Sequence, residues 1–140
     1  MLAYIVARSR RLTFPAPVAV DVLFLIAWCG LIFFLSSQSA LPLPPMFPHA
    51  DKLIHAGAYA VMGIFAWRMF QHSSCPAVLH MILSVCVCSL YGISDEWHQS
   101  FVPGRDSDVA DWLADTIGAL LAVSVMQGLS FGYCRSSSGT

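Results

Sequence analysis

Charge is what this sequence has least of. Seven Lys or Arg and eight Asp or Glu make up 11% of 140 residues, where soluble domains carry about a quarter. Scarce charge beside 57% hydrophobic residues excludes a disordered chain, which needs the opposite balance. A net charge of -1 excludes the basic footprint of a nucleic-acid-binding domain. The five cysteines are odd in number and do not read as a disulfide framework. Cys29, Cys86 and Cys88 lie inside apolar runs and read as small core residues. Cys86 and Cys88 would point about 200° apart on a helix, so they are not a metal pair. No internal repeat is present. A folded chain of this length still exposes roughly a third of its surface. With a mean hydropathy of +0.69 it cannot hide its apolar residues in a soluble core. The class left is a small polytopic membrane protein.

Four apolar segments give the expected fold, an all-α membrane protein with a four-transmembrane-helix bundle. They cover residues 18–35, 53–70, 76–94 and 109–126, each near the ~20 residues a spanning helix needs. Helices are the default because backbone groups in lipid must be satisfied internally. The links are short. The first carries Pro42, Pro44, Pro45 and Pro48, the second is marked by Pro76, and the third by Pro103-Gly104. The organisation expected is a cytoplasmic segment 1–17, a membrane domain 18–128 and a short tail 129–140, polar and serine-rich from Arg135. Arg8, Arg10, Arg11, Arg68 and Arg135 fall on one side, and Lys52 and Arg105 on the other. Five against two places both termini in the cytoplasm. The first apolar run is longer than a signal-peptide core, so it reads as an uncleaved anchor.

The polar residues gather at one end. The first helix ends in Ser36, Ser37, Gln38 and Ser39, and the second begins with Asp51, Lys52 and His55. The third ends with Asp95, Glu96, His98 and Gln99, and the fourth follows Arg105, Asp106 and Asp108 and carries Asp111 and Asp115. Asp51, His55 and Tyr59 share an arc of about 80° on helix two, and Asp108, Asp111, Asp115 and Gly118 share another on helix four. Glu96 and Gln99 lie about 60° apart, with Tyr91, Asp95 and His98 on an adjoining face. Ionisable residues in a membrane cost roughly 2.5–3.5 kcal/mol each and turn inward, so the stripes should face one another. Gly118 and Ala119 would let helix four pack closely below them.

Other polar residues have plainer readings. Asp106 and Asp108 suit a solvated loop or cap, and Asp51 and Asp108 suit helix N-termini. Lys52 can also snorkel. Asp21 and Arg68 read as interface residues. His49, His72 and His80 read as structural, and Trp28, Trp67, Trp97 and Trp112 as lipid-packing or belt residues. His55, Glu96, Arg105, Asp111 and Asp115 resist such readings. Asp115 lies about 6 Å deeper than Asp111 and is expected to hydrogen-bond Tyr59, Gln99 or another helix.

These residues resemble a family. Asp51-Lys52-Leu53-Ile54-His55 with Tyr59 and Gly63 resembles the second-helix signature of the VanZ-like membrane proteins. Tyr91-Gly92, Glu96, Gln99, Phe101 and Pro103-Gly104-Arg105 resemble their third helix and following loop. Asp111, Asp115 and Gly118 fall where that family has an aspartate, usually an asparagine, and a glycine, and Ser36-Ser37-Gln38 fits the end of helix one. The match runs in order over residues 30–122. The resemblance implies a small bacterial cytoplasmic-membrane protein in a family named for low-level teicoplanin resistance, with no established biochemical activity. Asp115 departs from the usual asparagine.

Two readings of the polar end stay open. One is a binding or catalytic site for an anionic envelope substrate at the outer leaflet, such as a lipid-linked precursor. Lys52 and Arg105 would hold phosphate, with Tyr59, Gln99 and Asp115 contacting substrate. His55, Glu96 and Asp111 would move protons. No cofactor is required. Six acids against two bases would repel a bare anion, however, so a divalent cation bridging carboxylates and substrate is a variant. No His-Glu-x-x-His spacing supports a metal centre. The other reading is a buried network that holds four short helices together in a scaffold or partner subunit. Proton-coupled transport through Asp111 and Asp115 ranks last, because no polar path continues to the other side.

Overall fold

Four helices account for the residues described by the computed structural model, 17–39 and 50–136, with side chains through residue 130. They are α1 (Val18–Ser36), α2 (Ala50–Phe70), α3 (Ala77–Gln99) and α4 (Val109–Ser136). Each contains an apolar stretch long enough to cross a membrane. The expected bundle is therefore present. Its N-terminal arm, the proline-rich first link and His49 lie outside the described residues.

Local chemistry sets the boundaries. Pro17 and Pro76 stand immediately before α1 and α3 in extended conformation, with ψ of 147° and 150°. There a missing N–H costs nothing, and the ring's fixed φ leads into the helix. The helix α2 begins at Ala50 rather than residue 53, with Asp51 in its first turn, where a carboxylate offsets the N-terminal dipole. The helix α3 runs on to Gln99, so Asp95, Glu96 and Gln99 stay in helical register. The helix α4 continues through Ser136, past the apolar run and into the expected tail. An apolar pattern marks where a membrane ends. A helix without a proline need not stop there.

Packing is tightest between α2 and α4, where small residues let backbones touch. A Cβ on Gly63 would sit 3.1 Å from the Ala119 backbone, and one on Gly118 would overlap Ala56, 2.7 Å from its carbonyl carbon. The apolar core is small: Leu25, Ile32, Tyr59, Met62, Ala66, Cys88 and Ala119. The outside is more apolar than the inside. Leu23, Ile26, Leu90 and Leu121 are each more than 60% exposed, while Asp21, Ser84, Asp95, Glu96, Asp111 and Asp115 are buried. That inversion suits a chain whose solvent is hydrocarbon.

Three indoles do more than sit in a lipid belt. Trp28 Nε1 donates to Ala58 O at 2.9 Å, Trp67 Nε1 to Gln127 Oε1 at 3.1 Å and Trp112 Nε1 to Ser89 Oγ at 3.1 Å. Tyr91 donates to Cys29 O at 2.6 Å. Each bond joins two helices in surroundings where an unpaired donor is costly. Trp97, 69% exposed, keeps its expected outward position. Of the cysteine pair, Cys88 is buried and Cys86 exposed.

Candidate functional site at the polar end of the bundle

The C-termini of α1 and α3 meet the N-termini of α2 and α4, and two layers of polar residues form between them. The outer layer centres on Lys52, in the first turn of α2. Its Nζ lies 3.0 Å from Asp51 Oδ2, 2.6 Å from Asp108 Oδ2 and 2.7 Å from Asp111 Oδ1. Three carboxylates around one ammonium leave it little attraction for a further anion. Asp108 also accepts the Ala110 N–H on Oδ1 at 2.8 Å, capping α4. The Lys52 ammonium, aided by that N–H, holds the Asp108 carboxyl below the usual carboxylate range.

The inner layer lies one turn deeper. His55 Nδ1 is 3.0 Å from Asp115 Oδ1, linking α2 to α4. Glu96 of α3 accepts the Asp108 N–H on Oε2 at 2.8 Å, so the loop backbone aims this carboxylate. Asp95 accepts from Gln99 Nε2 at 3.0 Å. The second oxygens, Glu96 Oε1, Asp115 Oδ2 and Asp95 Oδ1, and the Tyr59 hydroxyl are buried with no hydrogen-bond partner among the described residues. Helix α3 comes this close because residue 92 is glycine: a Cβ there would lie 3.1 Å from Asp115 Oδ2. His55, Glu96 and Asp115 each offer a ligating atom, and these atoms all lie within 4.8 Å of one another.

The candidates therefore separate by position. Lys52 and Asp111 stand in the outer layer, and His55, Tyr59, Glu96, Gln99 and Asp115 in or beside the inner one. Arg105 stands apart. Its Nε donates to Gln38 O and its Nη2 to Leu35 O, both at 3.0 Å, satisfying carbonyls that the end of α1 leaves open. Gly104, at φ 83°, makes the turn that carries it there. Asp115 bonds to another helix, as expected, but through His55 of α2 rather than through Tyr59 or Gln99. His98 meets Ser37 Oγ at 3.0 Å and stacks on Phe33, on the α1 side.

Sequence reasoning passed over a second cluster, at the other end. Asp21, 1% exposed, lies 2.7 Å from Arg68 Nη2 and 2.8 Å from His72 Nε2. The available signal was topological. Asp21 opens α1, Arg68 lies in the last turn of α2 and His72 just beyond it, so an antiparallel pair brings them level.

No curated protein and no solved structure matches the chain. The VanZ/LLP1 family profile matches residues 21–130, which include all four spans and both layers of the polar end. This multi-pass membrane protein belongs to the VanZ/LLP1 family.

Proposed function

We propose that this VanZ/LLP1 protein binds the phosphate-bearing head group of a lipid-linked envelope precursor at the outer face of the bacterial cytoplasmic membrane. One observation carries the reading. Glu96 Oε1, Asp115 Oδ2, Asp95 Oδ1 and the Tyr59 hydroxyl converge on the inner layer without partners among the described residues. A network that serves only to hold helices together pairs its buried groups, because each unmet one is costly. Ionised Glu96 and Asp115 only accept, so they would meet hydroxyl or N–H donors of the head group, while Tyr59 and His55 would donate to its phosphate, with Lys52 and Asp111 at the rim. Arg105 acts on the end of α1 and holds the loop rather than the phosphate.

The test uses the full chain in detergent and a short-chain polyprenyl diphosphate as probe. Saturable binding, weakened in Tyr59→Phe and Glu96→Gln, is the expected result. In cells, the same variants should lose any change in teicoplanin susceptibility that the unaltered chain confers. A second reading draws on Lys52 and Arg105, whose donors are taken up by internal partners: a scaffold held by its polar end. Absence of probe binding, with variants that lower only thermal stability, would favour it.

A further inference from the structure

The polar end holds two groups of acids. Asp51, Asp108 and Asp111 gather around Lys52. Glu96 and Asp115 lie deeper, and the base in contact with Asp115 is His55. Burying two carboxylates beside one imidazole is expensive unless a positive charge joins them. Three features of the inner layer prepare it for a metal ion.

The donors come from three helices. Their ligating atoms lie within 4.8 Å of one another, and neighbouring ligands on a tetrahedral Zn²⁺ lie about 3.3 Å apart. The widest pair thus has to close by up to about 1.5 Å, a distance that side-chain rotation covers. The 3.0 Å between His55 Nδ1 and Asp115 Oδ1 is close to the ~3.3 Å between neighbouring ligands on a tetrahedral ion.

The carboxylates are aimed and have oxygens to spare. Glu96 and Asp115 are 6% and 0% exposed, and Glu96 Oε1 and Asp115 Oδ2 have no hydrogen-bond partner among the described residues. The Asp108 N–H fixes the other Glu96 oxygen, as outer hydrogen bonds orient ligating carboxylates elsewhere.

The charge also closes. Two carboxylates and a neutral imidazole neutralise one divalent ion, and a mixed nitrogen and oxygen set suits Zn²⁺ or Mn²⁺ better than Mg²⁺.

We propose that His55, Glu96 and Asp115 bind one divalent transition-metal ion, Zn²⁺ or Mn²⁺, leaving coordination positions for phosphate oxygens. The metal site stands on the three side chains. The phosphate half rests on the function proposed above. A bound cation removes the difficulty that acids outnumber bases here, because the phosphate then meets a metal rather than bare carboxylates.

Titrating the full chain, stripped with EDTA in detergent, with ZnCl₂ or MnCl₂ tests this. One ion per chain should bind, and the Mn²⁺ form should carry the electron spin-echo signature of a coordinated imidazole nitrogen. Glu96→Gln and Asp115→Asn should weaken binding about tenfold or more, and His55→Gln should abolish the nitrogen signal. Asp106→Asn, at an exposed acid of the same loop, should change nothing. An unaltered, folded chain with neither a stoichiometric ion nor a nitrogen signal at millimolar metal overturns the site. So does binding that survives the three inner variants and falls in Asp106→Asn. The unaltered chain gives the nitrogen readout without a mutation that could unfold it. Metal binding without affinity for the diphosphate probe would keep the site and overturn the function. Probe binding that EDTA does not weaken would keep the function and overturn the metal's part in holding the phosphate.

Discussion

At the scale of single residues, glycine and one lysine decide most. The Cα of Gly118 lies so near α2 that any Cβ meets the Ala56 backbone, which cannot swing aside as a side chain would. Gly118→Ala should therefore cost about 1–3 kcal/mol or more by overpacking, read as a lower unfolding midpoint in detergent. Gly57→Ala, with nothing within 4 Å of its added methyl, should be neutral or stabilising, since alanine favours a helix over glycine by roughly 0.8–1.0 kcal/mol. Lys52 makes the outer layer sensitive to pH. It depresses the Asp108 carboxyl below the ordinary 3.8. A depressed carboxylate contributes stability above its unfolded value and loses it as pH falls through the folded one. The difference in unfolding midpoint between the unaltered chain and Asp108→Asn should stay level from about pH 8 to about pH 5 and close below about pH 4. A gap that persists in acid would mean that Asp108 acts through shape rather than charge.

At the scale of elements, α1 is tied to the rest of the bundle at both ends by ionisable groups. Arg105 holds its C-terminal carbonyls, and Asp21 binds Arg68 and His72 near its N-terminus. The middle is apolar, with Leu25 and Ile32 in the core. Removing the buried carboxylate leaves two bases facing an apolar helix. Asp21→Ala should cost about 3–5 kcal/mol, nearer the lower figure because Arg68 and His72 reach the surface. Asp21→Asn, which keeps an acceptor, should cost less. Thermal unfolding of the two variants in one detergent checks the order. Equal losses would point to packing at Asp21 rather than to its hydrogen bonds.

At the scale of the whole molecule, the two polar ends lie on opposite sides of an apolar belt. Lys52 and Arg105 sit at one end and Arg68 at the other. With Arg8, Arg10, Arg11 and Arg135 counted on the Arg68 side, the basic excess supports the proposal that this end faces the cytoplasm. A cysteine engineered beside Pro45 or Pro103, in a background free of other cysteines, should then react with an impermeant reagent outside intact cells. A tag after Thr140 should be reached only after lysis. The reversed pattern would move the proposed metal and head-group site to the cytoplasmic face without changing its geometry.

Much of this protein is legible in the chain itself. Charge scarcity and four apolar runs determine the class and the number of spans, because a helix must cover a set thickness of hydrocarbon. Helical spacing and alternating direction also place Asp51, His55, Glu96 and Asp115 at one end, and the expected family follows from those residues in order. Contacts between helices were beyond it. Periodicity shows that Asp115 and His55 occupy inward stripes. Only the packing of Gly118 on Ala56 and the clearance at Gly92 decide that Asp115 meets His55 and lies beside Glu96. Arg105 looks like a phosphate ligand in sequence and turns to the carbonyls of α1 in the fold, because Gly104 points the loop that way. The Asp21–Arg68–His72 cluster was hidden for the same reason. A charge in an apolar helix shows in sequence that a partner is needed, and only three-dimensional proximity selects which one.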